Sequence, residues 1–332
     1  MDPAPRTPTP PPSPPHGEGP SDGPPHGEGT LDRLAALAHA AAHEAGAPCR
    51  CASGLVGVLA DRDDGTVVRH GGLVAKAHAP GTDPEDHRAR LALAAHQDVG
   101  GVFLPPLPLP RSGPHVLDGR PVTVWPYGPP VDPEDPDAAP WEDAARLLAL
   151  LHRTPPPPGR AGRLPEMRAP VKAALAVDRM RRTAPGHPAT ATVLEAWRTV
   201  PEAPAAYRLL CHGDFHLGQL VRAPRSGAHA PWRLIDIDDL GLGDPAWDLA
   251  RPAAWFAAGL LPSGIWSRFL GAYQEAGGPA VDADPWGRLD VPARALTVQT
   301  AALALAKSTA ERRPLDEVEE VMIDTCARIA GR

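Results

Sequence analysis

The chain has 332 residues, a formal net charge of −7 and 42% hydrophobic residues, enough apolar material for a two-lobed protein with a substantial core. The acidic balance argues against nucleic acid as the partner, because a phosphate backbone calls for a basic stripe. No run of eighteen apolar residues occurs, so no membrane span is expected, and the four cysteines, at 49, 51, 211 and 326, suit reduced thiols better than a disulfide framework.

Residues 1–29 hold eleven prolines and no aromatic residue, and they repeat PPHGEG at Pro14–Gly19 and Pro24–Gly29. Such a segment buries too little apolar surface to offset its conformational entropy and reads as a disordered tail. It lacks the apolar core of a secretory signal, and a cytoplasmic protein is expected. An Ala-rich helix follows, with Leu31, Leu34 and Leu37 as its packing stripe. His39 and His43 share a face of it and precede Cys49 and Cys51, a conceivable zinc set; the preferred reading is histidines at the helix's solvated edge.

Three strands come next, Leu55–Ala60, Thr66–Arg69 and Leu73–Ala77, joined by turns at Asp61–Gly65 and His70–Gly72. Lys76 lies in the third. It is one of only three lysines, with Lys172 and Lys307, among 33 basic residues. A helix over DPEDHRARLALAAH carries Glu85 as its only glutamate. Arg120–Trp125 reads as an apolar strand running into Pro126, Tyr127 and Gly128, and Trp141–His152 as an amphipathic helix with Leu147, Leu148 and Leu151 on one face. Pro155–Pro158 is a stiff connector.

The densest chemistry lies between Cys211 and Ala250. Asp214 follows His212 and Gly213 in a loop of small residues, where a carboxylate can accept a substrate hydroxyl or act as its base. Gln219, five residues on, offers a hard amide oxygen of the kind Mg²⁺ takes alongside carboxylates. Trp232–Ile237 reads as a short strand in which Asp236 is the one charged residue among Leu234, Ile235 and Ile237. A carboxylate there is costly unless a cation sits beside it, and Asp238 and Asp239 add to the local negative charge. In Gly243-Asp244-Pro245, Asp244 is set to cap a helix whose first turn accepts Pro245. Asp248, one turn later, is positioned to brace the Asp214 loop.

Taken in order, HGD, the amide, a strand ending in Ile-Asp and GDPxxDLA resemble the aminoglycoside phosphotransferase and choline kinase branch of the protein-kinase-like fold. The resemblance implies an α+β, two-lobed architecture: a small antiparallel-sheet N-lobe over residues 30–128, ending in a hinge, and a larger, mainly helical C-lobe over residues 129–332. It implies ATP and Mg²⁺ as cofactors, with Asp214 as the catalytic residue accepting the hydroxyl's proton, and Asp236, Gln219 and Asp238 around the metal. Lys76, in LVAKAH, is similar to the strand lysine that holds the ATP phosphates, with Glu85 as its partner, and Trp125 and Tyr127 stand at the adenine hinge. His212, Asp244 and Asp248 are structural supports in this reading.

The family's loop amide is usually Asn; Gln219 in HLGQ also resembles maltokinases and related bacterial sugar kinases. The expected activity is transfer of the γ-phosphate to a hydroxyl of a small molecule such as an aminoglycoside, a similar antibiotic or an amino sugar, with a maltokinase- or glucosamine-kinase-like sugar kinase as the alternative. A non-catalytic nucleotide-binding relative is a further alternative. A dinuclear metallophosphatase, suggested by Asp214-x-His216 with Asp236, lacks that class's Asn-His pair and late GHxH.

Overall fold

The computed structural model describes residues 28–43, 56–110, 115–159, 163–201, 207–224 and 230–331. Residues 1–27 of the tail expected over 1–29, together with Cys49 and Cys51, lie outside them. Helix α1 (Glu28–Ala42) starts within the last residues assigned to that tail and buries Leu34, Leu37 and Ala38.

The upper lobe is an antiparallel sheet in the order β1-β2-β3-β5-β4. Its strands are β1 (Val56–Arg62), β2 (Gly65–His70), β3 (Leu73–His78), β4 (Val116–Leu117) and β5 (Arg120–Pro126). Alternation sets which residues turn inward: Ala75 and Ala77 of β3 join Val68, Val122 and Val124 against α1, leaving Lys76 on the opposite face. Helix α2 (Pro84–Ala94) follows β3, capped by Asp83, whose carboxylate accepts the Glu85 and Asp86 amides at 2.9 Å.

The lower lobe is mainly helical: α3 (Trp141–Arg153), α4 (Ala169–Thr183), α5 (Thr190–Arg198), α6 (Ala250–Ala258), α7 (Ser263–Glu275), α8 (Trp286–Glu311) and α9 (Glu317–Ile329). Long α8 is its axis, with α4, α5, α6 and α9 packed around it. Between α5 and α6 run four three-residue strands, β6 (Leu209–Cys211), β7 (Leu220–Arg222), β8 (Trp232–Leu234) and β9 (Gly241–Gly243), paired as β6-β9 and β7-β8. The sheet and α1 bury a cluster of their own, while Leu93 and Ala94 of α2 and Trp125 of β5 join the larger cluster of the lower lobe. Among the described residues no helix is long and apolar enough to cross a membrane.

Two local expectations are corrected. The strand read over Trp232–Ile237 stops at Leu234, because Asp236 takes a left-handed backbone (φ 64°) that no strand accommodates. The helix read from Pro245 is first a single 3₁₀ turn over Pro245–Trp247, capped by Asp244 through the Ala246 amide at 3.0 Å; α6 begins at Ala250.

Candidate active site

The loop after β6 is shaped by Asp248. Its buried carboxylate accepts the backbone N–H groups of His212 at 2.6 Å and Gly213 at 2.8 Å, and the His152 Nε2–H at 2.9 Å. His152 is fixed in turn by the Tyr273 hydroxyl, which donates to Nδ1 at 2.8 Å and accepts the Ala280 amide at 3.0 Å. Burial opposes charge on Asp248, yet His152 and the loop amides outweigh it and hold the carboxyl below its usual range. His212 donates from Nε2 to the Ile235 carbonyl at 2.9 Å, linking this loop to the one that carries Asp236. Gly213 has φ 84°, and a Cβ there would lie 2.2 Å from the Asp239 carbonyl oxygen, so only glycine fits.

Asp214 emerges from this frame with both oxygens engaged. Lys172 of α4 donates to Oδ2 at 2.8 Å and Arg251 of α6 to Oδ1 at 2.9 Å. Burial works against its charge, but the two cations prevail and hold the carboxyl far below the ordinary range. Lys172 also donates to Asp239 at 2.7 Å, with Arg168 3.4 Å from the same carboxylate. These cations went unassigned in the sequence because they lie 42 and 37 residues from Asp214 and belong to no local motif.

Across the cleft, Lys76 Nζ lies 3.0 Å from Asp236 and 2.9 Å from Asp238. Desolvation is the largest influence on Lys76 and lowers its pKa; the two carboxylates together exceed it and raise the value, so the ammonium is charged. Asp238 also takes the His78 Nδ1–H at 2.7 Å, which ties β3 to the lower lobe.

Glu85 does not meet Lys76. It sits exposed in the first turn of α2, while His87 and Arg90 occupy the buried face, and Arg90 reaches down to the Leu240 carbonyl at 2.8 Å. Glu85→Ala is therefore expected to leave the KM for ATP and the turnover number within about twofold, as a surface substitution away from any partner should. A tenfold rise in the ATP KM would restore Glu85 as the lysine's partner.

The residues expected at the adenine hinge are tied to the upper-lobe strands. The Tyr127 N–H donates to the Gly72 carbonyl at 2.7 Å, its ring lies under the Arg69 guanidinium, 3.4 Å from centroid, and the Trp125 indole donates to Thr123 at 2.8 Å. Gly128 passes so close to β7 that a Cβ would sit 2.3 Å from the Arg222 carbonyl oxygen.

Gln219 lies in the 3₁₀ turn Leu217–Gln219, its amide end 3.2 Å from His216 Nε2 and 3.5 Å from Asp236 Oδ2. Burial, then Arg251, pushes the His216 pKa down to about 4, so its ring is neutral near pH 7. His216 Nδ1 accepts the Gly218 amide at 3.1 Å, and the Gln219 Nε2–H donates to Asp236 Oδ2. Gln219 and Asp236 are thus neighbours in the site, the amide donating to the carboxylate.

Known proteins carry the same arrangement of lobes. A choline/ethanolamine kinase family protein from Mesorhizobium loti shares 18% identity over 91% of this chain and 92% of its own, with a TM-score of 0.56. A type I macrolide 2'-phosphotransferase shares 20% over 90% and 97%, with a TM-score of 0.52. A thermostable mutant of an aminoglycoside phosphotransferase, in ternary complex with AMP-PNP and hygromycin B, shares 13% over 82% and 93%, with a TM-score of 0.53. At these identities the likeness establishes the fold. No curated protein matches the chain significantly. The profile of the phosphotransferase enzyme family matches residues 56–290.

The chain belongs to the phosphotransferase enzyme family. Its match runs from the first strand of the upper lobe into α8, so the family region includes Lys76, Asp214, Gln219, Asp236 and the Asp248 brace together. As a small-molecule phosphotransferase with a hydroxyl acceptor, it needs a base or positioning group, a phosphate cradle and a charge sink within one cleft.

Proposed function

We propose that this phosphotransferase moves the γ-phosphoryl group of ATP to a hydroxyl of a small molecule in a Mg²⁺-dependent reaction. One observation carries the reading: Lys76 from the upper-lobe sheet closes on Asp236 of the lower lobe. A lysine and a carboxylate brought together from the two lobes are suited to gripping a triphosphate and its counter-ion between them. Lys76 then serves the phosphates and Tyr127 marks the hinge side of the nucleotide site. Asp236 and Gln219 would hold the metal, which would neutralise charge on the phosphate oxygens. Asp238, anchored on His78, supports Lys76 from the other side.

Asp214 is a weak base while Lys172 and Arg251 hold it, so its main work is to accept and aim the acceptor's O–H. Phosphoryl transfer through a loose transition state asks for that positioning more than for early proton removal. The first acceptors to screen are those suggested by the family resemblance, aminoglycosides and amino sugars, followed by neutral sugars.

Asp236→Ala tests the reading. Titration with ATP is expected to show Mg²⁺-strengthened binding to the native chain and no effect of Mg²⁺ on the variant, with ADP formation lost. Mg²⁺-strengthened binding that survives Asp236→Ala would defeat it.

A further inference from the structure

The recess beside Asp214, between α4, α6 and α8, is lined by Lys172, Asp214, Phe215, Trp247, Arg251 and Gln299. Two buried polar atoms there have no hydrogen-bond partner among the described residues: the Arg251 Nε–H, a donor, and Gln299 Oε1, an acceptor. Gln299 is only 6% exposed, and a buried acceptor without a partner is costly enough to require a reason. The charges are unequal as well. Within the recess Lys172 and Arg251 face the single carboxylate of Asp214, and just beside it Arg168 and Asp239 form a further pair, so cations outnumber carboxylates by one.

We infer that the acceptor is an anionic hydroxylated molecule, bearing a carboxylate or phosphate monoester a few bonds from the hydroxyl that is phosphorylated. The inference rests on the phosphotransferase reading above and names its substrate class. The acceptor's anion takes Arg251 and Lys172 away from Asp214, a second hydroxyl donates to Gln299 Oε1, and Trp247 and Phe215 cover the carbon skeleton. Asp214, released from its cations, accepts the reacting hydroxyl. The bond from the γ-phosphorus to the ADP oxygen breaks with its electron pair leaving on ADP. The acceptor oxygen bonds to phosphorus, and its proton passes to Asp214. A cationic acceptor meets Lys172 and Arg251 head-on and leaves Asp214 locked.

The test pairs acceptors that differ in charge: D-gluconate and glucose 6-phosphate against D-glucose and kanamycin A. Each is titrated into the full chain with AMP-PNP and Mg²⁺, and each is assayed for ADP formation with ATP. The anionic probes are expected to bind at least tenfold more tightly than glucose. Arg251→Gln and Lys172→Met are each expected to remove that preference, with the KM for ATP unchanged within about twofold. Gln299→Leu, which leaves the charges in place, should weaken the anionic probes without removing their advantage over kanamycin.

Preference for glucose or kanamycin overturns the inference while leaving the phosphotransferase reading intact. So does the absence of any anion binding that Arg251→Gln removes, or a change confined to the KM for ATP. Failure of the native chain to bind Mg²⁺–AMP-PNP at all defeats the phosphotransferase reading instead. Gluconate preferred over glucose 6-phosphate identifies a carboxylate acceptor, and the reverse a phosphate one.

Discussion

Asp214→Asn is expected to lower turnover by about a thousandfold while ATP binding stays within a fewfold of the native value. General base and positioning contributions of a single side chain are typically about 10²–10⁴-fold, and the role proposed for Asp214 is chiefly positioning. Asn keeps the shape of the side chain but carries no charge, so it cannot take the hydroxyl's proton. It also presents an N–H donor where an acceptor is needed. Binding should survive because Lys76, Asp236 and Asp238 form a separate charge group on the other wall of the cleft. Removing the charge leaves Arg251 without its carboxylate and Lys172 with only Asp239, so a modest stability change is expected beside the kinetic one. Single-turnover ADP release separates the two effects; a turnover loss smaller than tenfold removes Asp214 from the reaction.

Asp248→Ala carries the largest expected stability cost, about 3–5 kcal/mol, the range found when one partner of a buried charged network is removed. The carboxylate is fully buried and satisfies three donors: the His212 and Gly213 amides and the His152 ring. Alanine leaves those donors without partners in a site too tight for ready access by water. For a chain of this size the melting temperature should fall by roughly 5 °C. The same group predicts a pH dependence. Its folded pKa lies below the unfolded value of about 3.9, so its stabilisation is complete above that value and disappears as pH falls through the lower folded one. The native chain should thus lose this increment below about pH 4, and the variant should show a flatter acid limb. A melting shift under about 2 °C would mean that the loop holds its shape without Asp248.

The comparison of Glu85 with His87 shows why part of the site escaped a linear reading. Glu85 is the only glutamate on α2, but the helix turns about 100° per residue, so Glu85 and His87 point to nearly opposite sides. Docking chose the side bearing His87 and Arg90. Asp236 shows a second limit: its apolar neighbours form a strand pattern, yet its left-handed backbone ends the strand early, a conformation aspartate tolerates and a hydrophobicity pattern cannot register. The strands of the upper lobe were legible because period-two alternation and Gly/Asp turns are local. The pattern predicts a strand over Leu73–Ala77, and the strand runs over Leu73–His78.

By itself, then, the sequence determined the phosphotransferase family, the sheet that carries Lys76 and the acidic loops containing Asp214 and Asp236, since each is encoded within a few consecutive residues. Only the tertiary structure decided which cations answer those carboxylates. Lys172 and Arg251 reach Asp214 from two different helices, and Asp238 turns to His78 and Lys76 in the other lobe. Coulomb attraction acts on distance in space, and chain separation carries no information about it once the helices have packed around α8.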